Sequence, residues 1–131
     1  MGTAGYRART AYEQQVASAY DEVLVEVAVR ARAAGSIGKS DIGALLLWKR
    51  LRADTPWASR LMSVPDLEVR ATTARVVDAV RDPHSSTPAA AREGRRLLAS
   101  LPGFTTGDAL ASAVLVAAAP RRMAVPAWPR G

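Results

Sequence analysis

The feature that most constrains this chain is a recurring three-and-four spacing of apolar residues, broken at intervals by proline, glycine and hydroxyl-bearing residues. Tyr12, Val16, Tyr20, Val23 and Val27 follow at intervals of four, four, three and four, which sets them on one face of a helix. A half-buried strand needs apolar residues at every second position, and no stretch sustains that alternation. Aliphatic and alanine-rich runs dominate while aromatics are only 5% of the chain. The expectation is an all-α fold, a compact bundle of about six helices.

Start and stop signals divide the bundle. Residues 1–9 read as a flexible N-terminus, and Thr10-Ala11-Tyr12-Glu13 is a capping box opening a helix from about Ala11 to Ala34, closed by Gly35. Val25 and Val29 add a second apolar edge, so the later half of this helix is expected to be covered on more than one side. Ser40 is the expected cap of a second helix running to about Arg52, with Ile42, Leu45, Leu46 and Trp48 inward and Lys49, Arg50 and Arg52 outward. Thr55-Pro56 opens a short helix carrying Trp57, Leu61 and Met62. Trp48 and Trp57 read as core anchors. Ser63-Val64-Pro65-Asp66 starts a helix whose stripe is Leu67, Ala71, Ala74, Val77 and Val80, ending near Arg81. A polar loop over Asp82 to Pro88 follows, and Thr87-Pro88 opens the helix of Arg92, Arg95 and Arg96. One helical domain over residues 10–125 and an irregular tail over 126–131 result, and the length of 131 residues suits a single core. The tail, with Pro126 and Pro129, reads as a truncated or frame-altered end.

Several function classes are excluded at this level. No cysteine is present, so disulfides and thiolate metal sites are out. His84 is the only histidine and stands in the polar loop, while Asp21, Glu22 and Glu26 lack a further ligand and read as a solvated helix face. No metal or cofactor is expected. Arg7 and Arg9 precede no apolar signal core, and the small-apolar run from Ala109 to Ala119 is about half the ~20 residues that a membrane span needs. A cytoplasmic, non-membrane protein is expected. The net charge is +6, with a calculated isoelectric point near 10.7. The excess falls in two places: residues 36–63 hold 5 basic and 2 acidic residues, and residues 88–131 hold 6 and 2. Such a balance suits a polyanionic partner.

The functional signal lies in the hairpin segment, about residues 88–119. Leu101-Pro102-Gly103 breaks two apolar runs with the residues least compatible with helix continuation. Thr105-Thr106-Gly107-Asp108 then signals a new helix from about Thr106, whose free first-turn amides and positive dipole end suit a phosphate oxygen. Leu101, Pro102, Gly103 and Phe104, with Val114-Leu115 in the second helix and Ala124-Val125 after it, resemble the hairpin of the helix-hairpin-helix DNA glycosylase superfamily. The stretch from Ile37 to Met62 is also similar to arginine-rich actinobacterial proteins, a likeness that brings no activity with it.

The resemblance implies a helix-hairpin-helix fold closing the bundle and sequence-independent DNA binding through its turn. The residues it nominates are Gly103, Phe104, Thr105, Thr106 and Gly107; by charge and position, Arg95, Arg96, Arg121 and Arg122 flank them, and the basic side of the second helix is a further candidate backbone contact. Thr105 or Gly107 stands for the second hairpin glycine, so the loop is about two residues longer than in the superfamily. The superfamily's catalytic aspartate position, after Ala124-Val125, holds Pro126, and no lysine follows Lys49. A DNA-binding domain without catalytic activity is therefore expected. Two alternatives stand beside it. One is an active base-excision glycosylase using Asp108, although Asp108 fits an N-terminal cap better. The other is a helical protein-interaction module with no DNA affinity, whose apolar surface includes Trp128.

Overall fold

The computed structural model describes residues 22–49, 51, 56–105 and 108–123. Among them every regular element is a helix. We label them α1 (residues 22–34), α2 (Lys39–Trp48), α3 (Pro56–Ser63), α4 (Asp66–Arg81), α5 (Thr87–Leu98), α6 (Ala109–Ala118) and α7 (Pro120–Met123). The last is a single turn beyond the six expected, entered through Ala119 in a non-helical conformation (φ −147°, ψ 75°). The starts read at Thr10 and Thr55, the positions of Tyr12, Val16 and Tyr20, the outward Arg50 and Arg52, and the tail with Pro126 and Trp128 lie outside the described residues.

Helix α6 is the centre of the fold. Leu110, Ala111, Ala113, Val114, Leu115, Ala117 and Ala118, seven of its ten residues, are buried, and it lies against α2, α4, α5 and α7. Each fully buried Val or Leu side chain contributes about 1.5–3 kcal/mol, and the alanines let neighbouring backbones come close. Gly94 extends this closeness to α5: a Cβ there would meet Leu115 Cδ2 at 2.6 Å and Val80 Cγ1 at 2.9 Å. The missing methyl is what seats α5 in the angle between α4 and α6.

The outer helices bury narrower stripes than their sequences suggest. On α1 the buried positions are Leu24, Val27 and Ala31, at intervals of three and four, while Val25 and Val29 are 58% and 63% exposed. The expected second covered side is open. On α4 the buried stripe is Val69, Thr73, Val76, Val77 and Val80, and Leu67, expected inside, is 82% exposed. Leu67 lies on the first turn, where no described helix is packed over it.

Caps also differ from the local reading. Gly38, not Ser40, is the cap residue of α2 and has no side chain to offer. The Lys39 amide instead donates to Asp66 Oδ1 at the start of α4 (2.8 Å), whose other oxygen accepts from Arg70 Nε (2.9 Å). The Lys39 amide first, and Arg70 second, hold the Asp66 carboxyl below the usual aspartate range. Ser63 donates back to the Ser59 carbonyl (3.1 Å), and the cap residue of α4 is Pro65. On α5 the cap lies one place earlier, at Ser86, whose hydroxyl accepts from the Ala89 amide (3.2 Å) and leaves Pro88 in the first turn. His84 sits in the exposed loop before it, its amide donating to Asp82 Oδ1 (2.9 Å).

The α1–α2 linker is held to α4 by one hydroxyl. Thr73 Oγ1 accepts from the Ile37 amide and donates to the Ile37 carbonyl, both at 2.8 Å, and neither residue is exposed to solvent. Both polar groups of a buried peptide residue are thereby satisfied by one side chain. Arg30 Nε adds an ion pair from α1 to the buried Asp41 of α2 (2.9 Å). Thr73→Val keeps the shape and removes both bonds, so it is expected to cost about 2–4 kcal/mol, from two buried groups left without partners. Thr73→Ser keeps the bonds and loses one methyl, about 1 kcal/mol. Urea denaturation of the two variants checks this, and a Thr73→Val as stable as Thr73→Ser contradicts the clamp.

Candidate nucleic-acid interface

The corner between α5 and α6 is built by two apolar residues that pull it into the core. After Leu98 the chain tightens, with the Ser100 amide donating to the Leu97 carbonyl (3.3 Å) and the Leu101 amide to the Leu98 carbonyl (2.9 Å). Leu101 and Phe104 are buried on either side of the Pro102-Gly103 turn. Gly103 adopts φ +98°, a conformation open to glycine.

The position of Gly103 differs from that of a phosphate-contact glycine. It is buried, and a Cβ added to it would overlap the six-membered ring of Trp57. Its missing side chain makes room for an indole of the same chain. Trp57 is half-buried and packs against the core, so this contact ties the short helix α3 to the corner. Phe104 belongs to the same interior. Thr105, the next residue, is exposed. Thr106 and Gly107 lie outside the described residues, and the described part of α6 begins at Ala109 rather than near Thr106.

Arg95 crosses from α5 to the opening of α6. Its Nε donates to Asp108 Oδ1 (2.9 Å), and its Nη2 to Asp108 Oδ2 (3.3 Å) and to Ser112 Oγ (2.9 Å). Asp108 is the cap residue of α6 but makes no side-chain hydrogen bond to the helix. Its carboxylate is spent on Arg95 instead, and the first-turn amides take no acceptor from it. The Asp108 side chain is 73% exposed. A carboxylate open to water and gripped by a guanidinium is a surface ion pair, not a base held in a cleft that excludes water.

The other arginines go elsewhere. Arg96 pairs with Glu93 on its own helix (2.8 and 2.5 Å), and that hydrogen bond holds the Glu93 carboxyl below its ordinary range. Arg121 and Arg122 stand beyond the far end of α6, a helix of ten residues and hence about 15 Å long. Arg122 donates to the carbonyls of Val80 (3.1 Å), Asp82 (2.6 Å) and Ser85 and to Thr87 Oγ1 (3.3 Å), closing the α4–α5 loop. Arg121 is exposed on α7. The nominated residues are thus not one cluster. Arg95 and Thr105 remain as exposed or half-exposed polar groups at the corner, and Ser112, which no motif marks, joins them through Arg95.

Among the described residues, no group of three or more His, Asp or Glu side chains is placed to hold a metal ion, and no helix is long and apolar enough to cross a membrane. Set against protein-family models, curated proteins and solved structures, the chain matches none.

The packing at Gly103 makes a specific demand. Gly103→Ala is expected to destabilise the protein by about 2–4 kcal/mol, combining the cost of a side chain in left-handed backbone with overlap against Trp57. In a Trp57→Ala background the overlap disappears, so the cycle should show a coupling of about 1 kcal/mol or more. Additive effects in thermal or urea unfolding contradict the contact.

Proposed function

We propose that this chain binds the phosphate backbone of duplex DNA at the α5–α6 corner, without reading base sequence and without catalysis. The observation that carries this reading is Arg95 lying across the opening of α6, where the cap residue leaves the first amides without a side-chain acceptor. A helix N-terminus carries the equivalent of about half a positive charge. Together with a bidentate guanidinium and the Thr105 hydroxyl, it supplies the donors that a phosphate takes. The resemblance of Leu101-Pro102-Gly103 to the glycosylase hairpin points the same way. The absence of cysteine suits the reducing cytoplasm, where such a protein acts.

The Arg95–Asp108 pair sets how the contact works. With the two side chains 38% and 73% exposed, a pair of this kind is worth about 0–1 kcal/mol. A phosphate exchanges for Asp108 at little cost, and Asp108 acts as a competing anion. Gly103 supports the corner from beneath and makes no contact with DNA.

Fluorescence anisotropy with a labelled duplex tests the reading. With about two phosphates neutralised, affinity should fall about tenfold between about 50 and about 200 mM salt. Arg95→Ala should weaken binding about fivefold, equivalent to ~1 kcal/mol. Asp108→Asn should strengthen it, whereas an active glycosylase relying on Asp108 would lose release of free base in that variant. No binding at low salt, or binding indifferent to Arg95→Ala, overturns the proposal and favours a protein-interaction module.

A further inference from the structure

We infer that the groove between α1, the end of α4 and the α6–α7 junction docks an acidic amphipathic helix of a partner protein. The groove has a volume of about 880 Å³. Its apolar lining comes from Leu24, Val25, Ala28 and Val29 of α1, with Val80 and Ala119 facing them. Four arginines complete it: Arg32, Arg81, Arg121 and Arg122. Among the described residues, no carboxylate lines it.

The charges of this rim are held in place but not neutralised. Arg81 Nε donates to the Ala118 carbonyl (2.7 Å), and Arg122 donates to the carbonyls and the hydroxyl named above. These acceptors are all neutral oxygens, so they fix the guanidinium groups without cancelling their charge. Arg32 and Arg121 are exposed. An anion is therefore the complementary occupant. Val25 and Val29 are two of the five large hydrophobic residues exposed among those described, and both lie on this floor. The occupant must bring apolar surface as well as negative charge.

Spacing favours a helix. From Leu24 to Arg32 the α1 wall rises about 12 Å, two helical turns, which is the reach of apolar anchors at i, i+3, i+4 and i+7 on a partner helix. The arginines come from three elements on different sides of the floor, so they meet several carboxylates spread along a segment better than one lipid headgroup. A DNA backbone brings charge without the apolar surface that the valines need.

The test uses the full chain and defined probes. A fluorescein-labelled peptide of roughly 15 residues, long enough for marginal helicity, carries Leu at i, i+3, i+4 and i+7 and Glu on the flanks. A second has Lys for Glu, and a labelled duplex and anionic phosphatidylglycerol vesicles complete the set. The Glu peptide should bind, the Lys peptide at least tenfold more weakly. Val29→Glu and Arg121→Glu, both at exposed positions and checked for folding by circular dichroism, should each weaken the Glu peptide at least tenfold. Arg95→Ala should leave it unchanged, which separates this site from the DNA corner. No Glu-peptide binding up to about 1 mM, or binding untouched by both groove variants, overturns the inference. So does loss of duplex or vesicle binding in those variants while the peptide is unaffected.

Discussion

The interaction on which the rest depends is the enclosure of α6. A ten-residue segment of alanine, valine and leucine with a single serine keeps seven residues out of water only if other helices close round it. In isolation so short a helix is marginal, so its stability is tertiary. The demand propagates outward. Gly94 lets α5 approach, the valine stripe of α4 supplies the second wall, and Ile42, Leu45 and Leu46 of α2 join the same cluster. The Thr73 hydroxyl then fixes the linker that delivers α2, satisfying in one place the two backbone groups that burial of Ile37 strips from water.

A buried central helix has two ends, and on this protein they differ chemically. At its opening, Arg95, Asp108 and Ser112 form a small polar net around a turn sealed from below by Leu101, Phe104 and the Trp57 ring. At its far end the chain turns through Ala119 and Pro120 into a groove with an aliphatic floor and arginine walls. The first end offers hydrogen-bond donors and little apolar surface, and the second offers both. That difference is the basis for assigning phosphate to one and an acidic amphipathic helix to the other.

The sequence made the helical class legible because its apolar spacing and its start and stop signals agree over most of the chain. It placed both ends of the helix over Asp66–Arg81, and the openings of those at Pro56 and Thr87, within a residue or two. Periodicity marks a face, however, and not what covers it. Val25, Val29 and Leu67 fit apolar edges yet stay exposed, since no described element packs on them. Thr73 falls outside the stripe of Leu67, Ala71, Ala74, Val77 and Val80 and is polar by type, so its burial became visible only with Ile37 opposite. The site was less legible still. Arg95, Arg96, Arg121 and Arg122 are basic residues of one segment, but the length of α6 and the pairing of Arg96 with Glu93 separate them. Gly103 was marked correctly as a turn glycine, while its close neighbour, Trp57, lies 46 positions earlier in the chain.

The most direct measurement is a titration of the ¹⁵N-labelled full chain with a short DNA duplex, followed by amide NMR. The account expects shifts confined to Thr105, the opening of α6 and the Arg95 side chain, with Val25, Val29 and Arg121 unmoved. Shifts centred on the α1–α7 groove, or none at low salt, would contradict the assignment of DNA to the α5–α6 corner.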